Sequence, residues 1–227
     1  MENAVRSVWH EGYNADNYLA FLQELNSKHP GAIEFRIAET PLFVSKAFTQ
    51  KMIDACESIV DVITNEAFEQ ITERAIPANY KVPNQNSFSH FIAFDFGVCS
   101  NDKGELEPQL IEMQGFPTLF TFQVWDDIVV RKHFDIPANY STYFSGLNPE
   151  TYIQLLKEII VGNEKQEEVI LLEIFPHKQK TRIDFYCTED YLGIPIVCIT
   201  ELLQEGKQLF YLRNGIKKPV KRIYNRV

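Results

Sequence analysis

Apolar residues recur with helical spacing along much of this chain and give way to short unbroken runs near its C-terminal end. Between Ala15 and His29, the residues Tyr18, Leu19, Leu22 and Leu25 share one side of a predicted helix. Asn14 or Asp16 supplies its cap, and Pro30-Gly31 stops it. From Ser45 to Arg74 a longer stripe (Phe48, Met52, Cys56, Ile59, Ile63, Ala67, Ile71) predicts a single long amphipathic helix. Residues 76–89 hold Pro77, Asn79, Pro83, Asn84 and Asn86 without periodicity and read as a loop.

Alternation with period two then sets in, predicting a β-hairpin over residues 91–114. Thr118 to Phe134 reads as helix, with Trp125 and its neighbours Phe116, Phe120 and Phe122 expected to pack it against the sheet. After a polar spacer at 136–148, a helix from Pro149 to Val161 begins with proline at its first position. Val169 to Phe175 and Ile194 to Ile199 are apolar strand-like runs flanking a helical stretch, Lys180 to Leu192, which predicts a parallel βαβ unit. Gln208 to Arg213 and Val220 to Arg226 are predicted as strands on either side of an Asn214-Gly215 turn. The pattern therefore predicts an α/β chain in two parts, residues 1–148 with the hairpin and residues 149–227 with the βαβ unit.

Composition narrows the function classes. The 227 residues carry a net charge of -9, which argues against a nucleic-acid surface, since phosphate backbones are gripped by clustered Lys and Arg. No stretch has the length of apolar sequence that a membrane span requires, and the N-terminus has no apolar leader, so a cytoplasmic location is expected. Cys56, Cys99, Cys187 and Cys198 are far apart and are expected to be reduced thiols, Cys99 being a bystander at the hairpin turn. Charge is uneven along the chain. Residues 1–150 hold 10 Lys and Arg against 21 Asp and Glu, and no acid follows Glu205. The basic end (Lys207, Arg213, Lys217, Lys218, Lys221, Arg222, Arg226) fits either an anion-facing surface or a solvated edge.

The hairpin carries the suggestive chemistry. Alternation puts Phe94, Phe96 and Val98 on one face and Ala93, Asp95 and Gly97 on the other. A turn centred on Asp102-Lys103 sets Phe94 opposite Ile111 and Asp95 opposite Leu110, which places Asp95, Glu112 and Gln114 on a common face. Two carboxylates and an amide oxygen suit a hard cation, and Mg²⁺ takes one or two carboxylates together with substrate phosphates. An exposed hairpin with a merely polar outer face has the same spacing.

The segment FDFGVCSNDKGELEPQLIEMQGFPTLF, residues 94–120, resembles the metal-binding segment of ATP-grasp ligases, in which an Asp strand, a short turn and a Glu-x-Asn strand lead into Pro. The resemblance implies an ATP-grasp-like mixed sheet with helices, Mg²⁺ and ATP as cofactors, and Asp95, Glu112 and Gln114 as metal ligands. VKRIYNRV at 220–227 resembles a strand of the circularly permuted ATP-grasp family, which includes glutathionylspermidine synthase-like carboxylate-amine ligases. Residues 169–199 would then resemble a Rossmann-like subdomain, and Arg222 and Arg226 would face the cofactor. Ala93 stands where such ligases often carry Arg, which leaves Arg36, Arg222 and Arg226 as candidates for its role. Relatives of this kind continue beyond this strand into adenine-binding strands, so the C-terminal part of the nucleotide domain is expected to be lacking. The implied reaction joins a small carboxylate to an amine through an acyl phosphate.

Two other readings stay open. An Asp strand followed by Glu-x-Lys also marks metal-dependent nucleases, with Gln114 here in the Lys position. A non-catalytic nucleotide- or peptide-binding module fits equally, as neither G-x-x-x-x-G-K-[ST] nor G-x-G-x-x-G occurs. The five histidines lack metal spacing, and no G-x-S-x-G elbow supports a hydrolase triad.

Overall fold

The computed structural model describes residues 3–86, 89–115 and 118–227, the side chains of residues 3 and 69 excepted. In chain order the elements are α1 (Asn3–Gly12), α2 (Ala15–Ser27), α3 (Lys46–Ile63), α4 (Glu66–Thr72), β1 (Ala93–Ser100) and β2 (Leu106–Gln114). There follow α5 (Phe122–His133), α6 (Pro149–Ile160), β3 (Val169–Glu173), α7 (Arg182–Leu192), β4 (Ile196–Cys198), β5 (Leu203–Glu205), β6 (Gln208–Arg213), β7 (Ile216–Val220) and β8 (Arg222–Asn225). They fall into two compact units. The hairpin unit comprises Met1–Arg6 and Leu42–Phe116, and the larger unit Ser7–Pro41 and Pro117–Val227. The expected division at 148/149 gives way to this one because α2 and α5 share a core with α7.

That core gathers Phe21, Leu25, Ala32, Phe122, Val129, Ile183 and Cys187, all buried, with Trp125 packed against it. Trp125 donates Nε1–H to the Leu25 carbonyl at 3.1 Å, and the Phe122 ring meets Phe35 edge-on at 5.6 Å. Phe122 and Trp125 therefore pack α5 against α2, the segment after it and α7, where packing against the sheet was expected, because they join the Phe21, Leu25 and Ile183 cluster. Phe116 lies outside the described residues. A buried polar link joins α5 to α7: Thr121 N–H, Thr121 Oγ1–H and Phe122 N–H all donate to Asp184 Oδ1, at 2.8 to 3.0 Å. Asp184, fully buried, thus caps the N-terminus of α5 from another helix.

The βαβ reading is realised in its local geometry. β3 pairs in parallel with β4 after the α7 crossover, and in parallel with β8 on its other side. All five residues of β3 are buried, as a strand covered on both faces requires. Ile170 and Leu172 meet Val197 and Tyr211, which ties this sheet to a second, antiparallel one of order β5-β6-β7. Asn214 and Gly215 take positive φ values of 52° and 76°, the signature of a two-residue hairpin turn. The strand predicted over 220–226 is really two. Ile216–Val220 completes that hairpin, whereas Arg222–Asn225 crosses to the parallel sheet.

In the hairpin unit the single predicted helix over 45–74 is broken at Thr64-Asn65. Thr64 Oγ1–H donates back to the Val60 carbonyl and Asn65 Oδ1 accepts Ala67 N–H, so a side-chain cap starts a new helix where the stripe would continue. The helix α1 was not evident in the pattern, since Val8 is exposed and only Trp9 is buried, its ring 4.7 Å from that of Phe134 and tilted 34° to it.

Candidate functional site

The β1–β2 hairpin turns through residues 101–105. Asn101 Oδ1 accepts Lys103 N–H at 3.0 Å and Glu105 N–H at 2.9 Å, fixing a longer turn than two residues. The register follows from it: Ala93 opposes Gln114, Phe94 opposes Met113 and Asp95 opposes Glu112. Beyond a bulge between Asp95 and Phe96, Phe96 opposes Leu110 and Val98 opposes Pro108. The expected pairs Phe94–Ile111 and Asp95–Leu110 are therefore corrected. The extra residue in β2 reverses the alternation, so that Leu110 joins Phe96 on the apolar face, while the Ile111 side chain lies beside Gly97.

Asp95 and Glu112 are directly opposed, which puts their Cβ atoms about 5 Å apart on one face. Gln114 is on the same face and donates Nε2–H to Glu112 Oε1. Both acids are exposed. The donor set is all oxygen, and two carboxylates leave room for phosphate oxygens around a hard cation, so the residues fit magnesium. Gln114 would need to turn its amide over to offer its oxygen. Among the described residues no third His, Cys, Asp or Glu joins the pair.

The larger unit offers a different arrangement. In open parallel sheets, ligands bind beyond the carboxyl ends of the strands. Here those ends are Glu173 of β3, Cys198 of β4 and Asn225 of β8. Phe175, just past β3, has a left-handed backbone at φ 48°, unusual for a bulky residue. Its N–H donates to Cys198 Sγ at 3.3 Å, and Thr200 Oγ1–H donates to the same sulfur at 3.1 Å. The Thr200 hydroxyl, with the neighbouring N–H groups, holds the Cys198 thiol below its ordinary pKa.

Arg226 follows β8 at that same edge. Its backbone N–H donates to the Leu172 carbonyl at 2.9 Å, and its guanidinium sits 5.3 Å over the Phe185 ring. Nε and Nη1 are buried without a hydrogen-bond partner. Arg222 is committed elsewhere, donating Nη2–H to the Ile159 carbonyl at 2.7 Å at the C-terminal end of α6. Arg36 is exposed on the segment after α2. Of the basic end, Lys217 pairs with Glu205 at 2.5 Å, Lys218 with Glu167 at 2.8 Å, and Lys221 with Glu168 at 2.8 Å. Those lysines form a neutralised edge. Sequence reasoning missed Glu173, Cys198 and Phe175; the one signal was an acid inside the apolar run VILLEIF.

No family model matches the sequence, and no curated protein matches it. Among solved structures, the apo form of a glutathione synthetase-like effector (GSS30) from Globodera pallida matches with a TM-score of 0.56 at 12% identity. The match covers 94% of this chain and 59% of that one, so this chain spans about three fifths of the length of the structure that it resembles. At such identity the likeness is one of fold: a mixed α/β chain folded like a glutathione synthetase-like protein.

Proposed function

We propose that the protein is an ATP-grasp-type component that binds a magnesium nucleotide on the β1–β2 hairpin, in the service of joining a carboxylate to an amine. The observation that carries the reading is the register of Asp95 directly against Glu112 on an open, all-oxygen face. The glutathione synthetase-like fold supports it, and so does the resemblance of residues 94–120 to the ATP-grasp metal segment. When bound, the ion would neutralise phosphate charge. The two carboxylates hold and orient it, and Gln114 fixes the Glu112 rotamer. Arg226, whose Nε and Nη1 are buried without a partner, would offer a hydrogen-bond donor to a carboxylate or phosphate at the sheet edge.

Calorimetric titration of ATP in the presence of magnesium tests the reading. The expected result is magnesium-dependent binding that Glu112→Ala weakens by about tenfold or more, with ADP released when amino acids or polyamines are added. Binding that is indifferent to magnesium and to Glu112→Ala would overturn the hairpin as the site.

A second reading, a non-catalytic nucleotide- or peptide-binding module, is favoured by Ala93, which leaves no cation beside Asp95 on β1. It predicts nucleotide binding with no ADP release under any of those additions.

A further inference from the structure

The hairpin strands are eight and nine residues long, yet they form a sheet of only two strands. No other strand of the described residues exceeds six residues. Within the hairpin unit, among the described residues, the β1 backbone pairs with β2 alone, which leaves one full row of N–H and C=O groups along β1 unused. Proteins normally blunt such an edge with Lys, Pro or a covering segment. β2 carries Pro108, and Lys51 of α3 reaches its Leu106 carbonyl at 3.2 Å. β1, AFDFGVCS, has neither Lys nor Pro, and its one charge is Asp95. The apolar face it shares with β2 is also open, with Leu110 46% and Met113 43% exposed.

Charge decides between the occupants such an edge can take. Residues 42–116 hold eleven Asp and Glu against five Lys and Arg. Two copies meeting edge to edge would bring like fields together, which disfavours self-pairing. We infer that the free edge of β1 takes an extended, basic strand from a partner polypeptide, which adds a third strand to the hairpin by backbone pairing. Its alternate apolar residues would cover Phe94, Phe96 and Val98, and its Lys or Arg residues would turn to the acidic side.

The test uses the full chain and a fluorescent peptide of alternating Val and Lys, about as long as β2. It is run in EDTA, so that its outcome is separate from that of the magnesium reading. Anisotropy is expected to show saturable binding, with hydrogen exchange slowed at residues 93–100. A Val-Glu peptide of the same length is expected to bind about tenfold more weakly, and the fully N-methylated Val-Lys peptide not at all. The inference fails if no binding occurs up to about 1 mM peptide, or if the N-methylated peptide binds equally well. Protection confined to residues outside 93–100 would overturn it, and so would sedimentation showing a dimer with β1 amides already protected.

Discussion

In the larger unit every residue of β3 is buried, and the helices α2, α5 and α7 close around Phe21, Leu25, Val129 and Ile183. In the hairpin unit, among the described residues, only Phe43 and Phe48 are buried, while Leu42, Val62, Ile71, Val82, Leu110, Ile111 and Met113 stay exposed. Both regions are rich in apolar residues at regular spacing, so the difference is not one of composition. It is one of layers. A sheet covered on both faces removes its apolar side chains from water, whereas a two-stranded hairpin beside one helical run has too few neighbours to do so. A region with that little burial is held mainly by local hydrogen bonds and is expected to open more readily.

The largest loss of stability is expected from a change inside the larger unit. Asp184→Ala would leave the Thr121 and Phe122 N–H groups buried without an acceptor, and a loss of about 4 kcal/mol is expected in chemical denaturation. If the variant stays within 1 kcal/mol or so of the parent, water has replaced the carboxylate and the link is not structural. A matched pair sharpens the contrast directly. Leu171→Ala, at a fully buried position, should cost about 3 kcal/mol, whereas Ile111→Ala, 71% exposed, should change stability by less than about 0.5 kcal/mol. Equal costs would mean that the hairpin face is covered in solution.

Two carboxylates of the larger unit give opposite pH signatures. Burial, assisted by the neighbouring Asp127 charge, pushes the Asp126 carboxyl up to about 6 from 3.8. The unfolded chain then ionises first, so the folded state loses stability as pH rises between those values. Asp126→Asn is therefore expected to raise stability by about 2 kcal/mol at pH 7 and to do nothing below pH 3.8. A variant no more stable than the parent at pH 7 would show that this group is hydrated. For Asp190, burial pushes upward but hydrogen bonds from Lys28 and His29 outweigh it, and the carboxyl lies below its ordinary pKa. Its contribution is present above 3.8 and disappears as pH falls through the lower folded value. Asp190→Asn should cost about 0.5 kcal/mol at neutral pH, a difference that vanishes in strong acid.

Much of the fold was legible from spacing. The helix starts at Ala15 and Pro149, the parallel pairing of β3 with β4, and the Asn214-Gly215 turn all follow from caps, apolar runs and turn residues. The shared face of Asp95, Glu112 and Gln114 was legible too, although its register was not. A five-residue turn organised by Asn101 and a bulge next to Asp95 moved every pair, and neither device leaves a period-two mark. Asp184 was invisible for a related reason: a polar residue in the first turn of a helix reads as local, whereas its partners are about sixty positions away.

Most helices and strands were written in the sequence alone, α1, β5 and the breaks at Thr64-Asn65 and Lys221 excepted, because periodicity and capping act over a few neighbouring residues. The tertiary structure alone decided that α2 and α5, on either side of residues 42–116, join the C-terminal βαβ unit, and that Arg222 is consumed while Nε and Nη1 of Arg226 stay unpaired. Those outcomes depend on which apolar faces find each other across long stretches of chain. No local pattern encodes that choice, since burial is non-directional and is satisfied by whichever packing excludes the most water.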